Sequence, residues 1–247
     1  MTKTVLITGA SRGIGRSAAI LAGQKGWSVG VNYVGNKRAA DEVVDAIIAA
    51  GGKAKAIQGD VAVEADVISV FKQAAELGKL DGVVVNAGIV APASPLIDMD
   101  IERMRRIFDV NILGAYLCAR EAVRHLARSR GGNGGSIVLL SSAAARLGGP
   151  NEYVDYAGSK GAMDTLTIGL SKEVGPDGIR VNAVRPGLVE TDIHASGGQP
   201  DRAQRLGVTA PLGRPGTADE VAESIVWLLS DASSYVTGAL LDVTGGR

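Results

Sequence analysis

Val5-Leu6-Ile7-Thr8-Gly9-Ala10-Ser11-Arg12-Gly13-Ile14-Gly15 is the stretch on which the fold turns. A short continuous apolar run enters a glycine-rich turn. A helical pattern then runs from Ile14 to Lys25, with Gly26 placed as its C-cap. Glycines let a backbone turn sharply and approach a ligand closely. The first-turn N–H groups then face outward beside the positive end of the helix dipole, where a dinucleotide fold holds a pyrophosphate. The spacing is G-x-x-x-G-x-G rather than G-x-G-x-x-G, and its force comes from its place between a strand and a helix.

Two other chemistries use such loops. Gly9-Ala10-Ser11-Arg12-Gly13 fits the G-x-S-x-G elbow of a serine nucleophile, including its strand–turn–helix setting. Only eight residues precede it, too few for the earlier strands and oxyanion loop of that fold. Neither His125 nor His194 stands out as a base. A Walker loop needs Lys-Ser/Thr after the glycines, which is absent.

Outward from this loop the apolar period keeps switching. Strand-like runs at 5–7, 28–33, 54–57, 82–85, 137–140, 180–184 and 240–243 alternate with helical patterns at 14–25, 65–77, 101–128, 153–174 and 218–229. A further helix carries Val43, Val44, Ile47 and Ile48, with Asn36 as its cap and Gly51-Gly52 as its end. This alternation predicts an α/β fold, a doubly wound parallel seven-stranded sheet with helices on both faces. Residues 131–135 read as a surface turn. The segment 188–214 shows little periodicity and reads as a lid over the site. No internal repeat appears, so the expectation is one domain over residues 1–247.

The 247 residues carry 26 Lys and Arg against 26 Asp and Glu, a formal net charge of +0. That balance argues against a nucleic-acid binder or a protein adsorbed to membrane. The 34 glycines are about twice the usual share, which fits many tight turns. One Cys and two His make neither a disulfide framework nor an ordinary structural zinc site, so no metal is expected. No apolar run reaches the roughly 18 residues of a membrane span. The initial apolar run is too short for a signal peptide, and the expected location is the cytoplasm.

Tyr156 and Lys160 lie one helical turn apart and share a face. An ammonium nearby stabilises a phenolate, so Lys160 is expected to lower the Tyr156 pKa and fit it for proton transfer. Tyr33 and Lys37 repeat the spacing but fall at the end of the second strand, where an adenosine is expected, and are read as a decoy. Tyr116 and Tyr153 have no Lys four residues on. Ser141-Ser142 end the fifth strand, at the edge that faces a ligand crevice. Cys118 and Trp227 read as packing residues, and His194 falls within the expected lid.

Taken in order, Thr8 to Gly15, Asn86-Ala87-Gly88, Asn111, Ser142, Tyr156-x-x-x-Lys160 and Pro186-Gly187 resemble the short-chain dehydrogenase/reductase family along the whole chain. The resemblance implies a Rossmann fold and a nicotinamide-dependent oxidoreductase interconverting a small carbonyl and an alcohol. A non-catalytic dinucleotide-binding regulator is the rival, and an intact Asn-Ser-Tyr-Lys set weighs against it. By resemblance Tyr156 is the acid/base, Ser142 orients the reacting oxygen, Lys160 holds the nicotinamide ribose and Asn111 holds a relay water. Ser142 aligns better than Ser141, although its spacing to Tyr156 is one longer than in many relatives. The cofactor is expected at Gly9, Ser11, Arg12, Gly13, Ile14 and Gly15, at Asn32 and Tyr33, and at Asp60 and Val61. Asn86, Ala87, Gly88, Pro186, Gly187, Val189 and Thr191 complete the set. Relatives pair through the helices holding Asn111 and Tyr156 and through the last strand, which implies a homotetramer.

NAD-selective sites place an acid at the end of the second strand, repelling a 2′-phosphate. Here Val31-Asn32-Tyr33-Val34-Gly35-Asn36 has none, while Arg12, Lys37 and Arg38 are near, so NADP(H) is expected, with NAD(H) the alternative. Val189, Ile193 and Leu206 suggest a partly apolar substrate pocket.

Overall fold

Val5, Leu6 and Ile7 alternate between two hydrophobic layers, one on each face of a central sheet. The computed structural model describes residues 2–247. Its strands are β1 (Thr4–Ile7), β2 (Ser28–Tyr33), β3 (Lys53–Gln58), β4 (Gly82–Val85), β5 (Gly135–Leu140), β6 (Ile179–Pro186) and β7 (Leu240–Val243). They form one seven-stranded sheet of order β3-β2-β1-β4-β5-β6-β7, every pair parallel. The order reverses between β1 and β4, and ligands bind above the carboxyl ends of strands at such a switch point.

Helices cover both faces. On one lie α1 (Gly13–Gln24), α2 (Lys37–Ala49) and α10 (Ala218–Leu229), packed over Val5, Ile7, Val29, Val31 and Val184. On the other lie α3 (Glu64–Ala75), α5 (Gly114–Leu126) and α7 (Val154–Val174), over Leu6, Ile57, Val83, Ile137 and Leu139, with the short α6 (Ala144–Leu147) between β5 and α7. The inner strands β1, β2, β4 and β5 therefore bury both faces, which is why their apolar runs are continuous, whereas the edge strand β3 is partly exposed and alternates Lys with Ala. Asn36 caps α2 as expected, its Oδ1 accepting from Ala39 N at 3.0 Å.

The helix expected over 101–128 is interrupted. It comprises α4 (Ile101–Phe108), a π-turn (Asp109–Leu113) and α5, which ends at Leu126. A π-turn adds a residue without changing the apolar pattern on either side, so periodicity does not reveal it. The segment 188–214 is not irregular throughout, for it holds two short helices, α8 (Ile193–Ser196) and α9 (Arg202–Gly207). Cys118 is buried, and that burial pushes its thiol up to about 12. Trp227, expected to pack inside, is 41% exposed on α10. Val226 and Leu228 beside it face the core, and one helical step of about 100° carries Trp227 outward. No helix of the described residues is long and apolar enough to cross a membrane.

Candidate active site

The loop after β1 is held by two side chains. Thr8 Oγ1 accepts from Asn86 N at 2.9 Å and from Ala87 N at 3.0 Å. Asn86 Nδ2 donates to the carbonyls of Thr8 and Gly9 at 2.8 and 3.0 Å. Loops β1–α1 and β4–α4 are thereby stitched together. Gly9 has φ +62°, and a Cβ there would stand 2.9 Å from the Ala87 Cα. A Cβ on Gly15 would stand 2.5 Å from Asn86 Nδ2. The glycines are required by this close approach. Arg12 stands at the N-cap of α1 with extended backbone and no side-chain cap, so the N–H groups at Gly13, Ile14 and Gly15 stay available. Ser11 lies beside them, and the loop fits a pyrophosphate.

Neither histidine supports the hydrolase alternative for Ser11. The His125 ring packs against Phe71, 5.6 Å between centroids, and His194 Nε2 is hydrogen-bonded to the Val189 carbonyl at 2.9 Å.

At the end of β2, Asn32 is buried and its amide is engaged within the protein. Oδ1 accepts from Gly9 N at 3.1 Å, and Nδ2 donates to the Ile57 and Gly59 carbonyls at 3.3 and 3.0 Å. Asn32 therefore braces the glycine loop from below. Tyr33, next to it, is buried too. Lys37 and Arg38 pair along α2 with Asp41 at 2.6 Å and Glu42 at 3.1 Å. Lys37 thus sits on the helix exterior, which agrees with its reading as a decoy. Arg12 is exposed and makes no ion pair among the described residues. Asp60 follows β3, accepting from Ala62 N at 3.0 Å and lying 3.6 Å from the Arg106 guanidinium, with Val61 buried beside it.

Asn111 occupies the centre of the π-turn and is buried. Its Oδ1 accepts from Ile89 N at 2.8 Å, and its Nδ2 donates to Ile89 O at 2.9 Å and Ser159 Oγ at 3.1 Å. The amide locks the β4–α4 loop onto α7. Gly88 sits between, where a Cβ would be 3.4 Å from both Asn111 Oδ1 and Lys160 Nζ.

Beyond β5 the two serines part. Ser141 is buried and donates to the Lys160 carbonyl at 3.1 Å. Ser142 is partly exposed, its Oγ accepts from Ala144 N at 3.1 Å, and it stands close enough to Tyr156 to act on the phenol. Burial raises the Tyr156 phenol above its ordinary value, and the hydrogen bond from Ser142 pulls it back. The expected lowering by Lys160 does not prevail here. Lys160 Nζ donates to the Leu140 carbonyl at 2.7 Å and lies 5.6 Å from the Tyr156 ring centroid. Burial sets the direction for the phenol, and it also pulls Lys160 down to about 8, with Asp164 opposing.

Pro186 and Gly187 end β6, and the segment that follows bends over the glycine loop. The Pro186 carbonyl accepts from Ala143 N at 2.9 Å, and Gly187 N donates to the Val243 carbonyl at 3.0 Å. Thr191 Cγ2 lies 3.4 Å from where a Gly13 Cβ would stand. Val189 is packed in the core, so its side chain does not wall the crevice, while Ile193 and Leu206 are partly exposed. The segment is latched to the residues before Tyr156. Arg202 forms a bidentate pair with Glu152 at 3.0 and 2.7 Å, and Gln199 Nε2 donates to Tyr153 Oη at 2.8 Å. Gln199 and Arg202 make contacts that no sequence spacing marked, since each depends on elements brought together from distant parts of the chain.

The chain matches the family described as enoyl-(acyl carrier protein) reductase over residues 9–247. It is 51% identical to the "uncharacterized oxidoreductase YgfF" of Escherichia coli (strain K12), covering 98% of each chain. It is 40% identical to an L-rhamnose 1-dehydrogenase (NAD(P)(+)) of Sphingomonas sp. (strain SKA58), over 99% of this chain and 95% of that protein. Among solved structures, a doubly substituted short-chain dehydrogenase/reductase of Serratia marcescens superposes with a TM-score of 0.90 at 31% identity, covering 99% of this chain and 97% of that one. With its parallel sheet, glycine loop and Ser-Tyr-Lys cluster, the chain belongs to the short-chain dehydrogenase/reductase family, enzymes of Rossmann fold that interconvert alcohols and carbonyls.

Proposed function

We propose that the protein reduces, or in reverse oxidises, a small carbonyl/alcohol pair with NADP(H), and that Tyr156 is its acid/base. The observation that carries this reading is Tyr156 with Lys160 one turn along the same helix, its Nζ 5.6 Å from the phenol ring centroid, and Ser142 beside the phenol. When bound, the nicotinamide cofactor supplies or accepts the hydride. The N–H groups at Ser11 to Gly15, with Thr191 near Gly13, would hold the phosphates. Asp60 and Val61 would meet the adenine, and Asn86, Ala87 and Gly88 would lie beneath the cofactor. Ser142 donates to the substrate oxygen and orients it toward the phenol. Tyr156 gives that oxygen its proton during reduction and takes it back during oxidation, and Lys160 stabilises the phenolate left behind. Asn111, through its backbone in the π-turn, holds the water that returns the proton.

Preference for NADP(H) is supported by the absence of a carboxylate at the end of β2 and by Arg12, whose guanidinium is free to meet a 2′-phosphate. Segment 188–214 acts as a lid over a single domain, and the protein works in the cytoplasm as a homotetramer. The candidate substrates are a sugar, a 3-oxoacyl thioester, a steroid and a small ketone. Turnover of such a carbonyl panel, followed by nicotinamide absorbance with each cofactor, tests the reading. Reduction by wild type and none by Tyr156→Phe supports it, whereas cofactor binding without turnover of any carbonyl favours the regulator.

A further inference from the structure

Lys160 is 5% exposed, and among the described residues the Leu140 carbonyl is its one hydrogen-bond partner. An ammonium held in that way needs a countercharge, because a carbonyl dipole alone does not replace lost hydration. The carboxylate available is Asp164, buried one turn further along α7 on the same face. Asp164 is itself shared. Arg185, the residue of β6 before Pro186, reaches it with Nη2 at 2.7 Å and with Nε at 3.2 Å from both carboxylate oxygens. Arg185 Nη1 also lies 3.7 Å from Asp242 of β7, and Asp242 lies 3.4 Å from Arg146, just beyond Ser142.

The other groups around Lys160 are accounted for. On α7 itself stands the Tyr156 phenol, and near its start Asp155, paired with Arg103 of α4 at 2.8 Å. The π-turn and the β4–α4 loop present Asn111 and Gly88, neither charged. β5 presents the Leu140 carbonyl. The Asp164–Arg185 pair is thus the charged unit able to tune Lys160.

We propose that Asp164 is a positioning residue that keeps Lys160 an ammonium, and that Arg185 limits this by holding the same carboxylate. The inference rests on the reading of Lys160 as the partner of Tyr156. Its physical content is a sign. Neutralising Asp164 removes the countercharge and makes Lys160 easier to deprotonate, whereas neutralising Arg185 returns the full carboxylate to Lys160 and makes it harder. The two members of one ion pair therefore act in opposite directions. A purely structural role for the pair would damage the protein in the same way from either side.

The test is a titration of the Lys160 side chain by the 13Cε chemical shift of labelled lysine, in the enzyme without substrate, with Lys160→Met supplying the assignment. Asp164→Asn is expected to lower the midpoint by at least about one pH unit, tenfold in the proton-binding constant. Arg185→Gln is expected to raise it. The alkaline limb of kcat/KM should follow the same two directions. If Asp164→Asn does not fold, the neutral pair Asp164→Asn/Arg185→Gln, compared with Arg185→Gln alone, isolates the carboxylate. A midpoint unmoved in these comparisons, or moved the same way by both single variants, overturns the proposal. Because no substrate is present, shifted midpoints in a protein that reduces no carbonyl would fault the catalytic reading and leave the electrostatic one standing.

Discussion

Asn111 Nδ2 donates to Ser159 Oγ at 3.1 Å, and Ser159 Oγ donates in turn to the Tyr156 carbonyl at 2.6 Å. The π-turn is thus tied to the backbone of the tyrosine it serves. Removing one buried partner from such a chain leaves the other unpaired, at a cost of about 1–3 kcal/mol. Residues that carry the chemistry therefore also hold the site together, and variants need a stability control beside every rate.

Tyr156→Phe is the direct test of proton transfer. It deletes the phenol oxygen and keeps the ring, so cofactor binding and melting temperature are expected to stay near wild type. Turnover should fall at least about a hundredfold, the usual scale for an acid/base group. Single-turnover kinetics separate this from slower release. Near wild-type turnover would remove Tyr156 from the mechanism.

Lys160 links activity to pH and stability with a definite sign. Its folded value, about 8, lies below the ordinary 10.5, so folding disfavours the ammonium. Below pH 8 the folded protein carries that penalty in full, and stability from this group rises as pH climbs from about 8 toward 10.5. Lys160→Met is therefore expected to raise stability at pH 7, by about 1–3 kcal/mol for a shift of this size, while abolishing turnover. Urea denaturation at pH 7 and at pH 9.5 checks both sign and window, since the gain should shrink at the higher pH.

Arg12 is expected to read the 2′-phosphate. Lys37 and Arg38 have carboxylate partners on their own helix, and Arg12 has none among the described residues. Arg12→Ala should lower kcat/KM with NADP(H) and leave that with NAD(H) nearly unchanged. A charge-assisted bond of about 1.5–3 kcal/mol corresponds to a loss of roughly 10- to 150-fold. Selectivity unchanged by the substitution, or a wild-type preference for NAD(H), would refute the assignment.

Arg202 and Glu152 are expected to set how tightly segment 188–214 closes. Their bidentate pair joins α9 to the residues just before Tyr156, and Gln199–Tyr153 runs beside it. Arg202→Ala should raise KM about fivefold for a pair worth about 1 kcal/mol, with kcat kept or increased as release quickens. The charge swap Glu152→Arg/Arg202→Glu should recover part of the loss. A fall in kcat alone, at constant KM, would argue against a closing latch.

A homotetramer is expected from the apolar residues left outside. Phe108, Leu113, Tyr116 and Ile168 are exposed near the Asn111 turn and α7, Trp227 is exposed on α10, and Tyr235 is exposed between α10 and β7. Light scattering at micromolar concentration should return four times the 25.3 kDa chain. A stable monomer would leave these side chains unexplained and end the proposal.

What the sequence by itself determined was the local grammar. Continuous apolar runs alternating with amphipathic ones announced a parallel sheet covered on both faces, because each inner strand must bury both sides. The glycine loop, Tyr156 and Lys160 were legible because their spacing encodes a strand–turn–helix and one helical turn, both local facts. Tertiary structure alone decided the rest. It turned Ser141 inward and set Ser142 beside Tyr156. It engaged Asn32 as a brace and left Trp227 exposed. It also placed the π-turn at Asn111 and joined Asp164 to Arg185 across α7 and β6. The reason is physical: a hydrogen bond or ion pair between distant segments leaves no period in either one, and burial, which reversed the expected direction of the Tyr156 shift, is a property of packing.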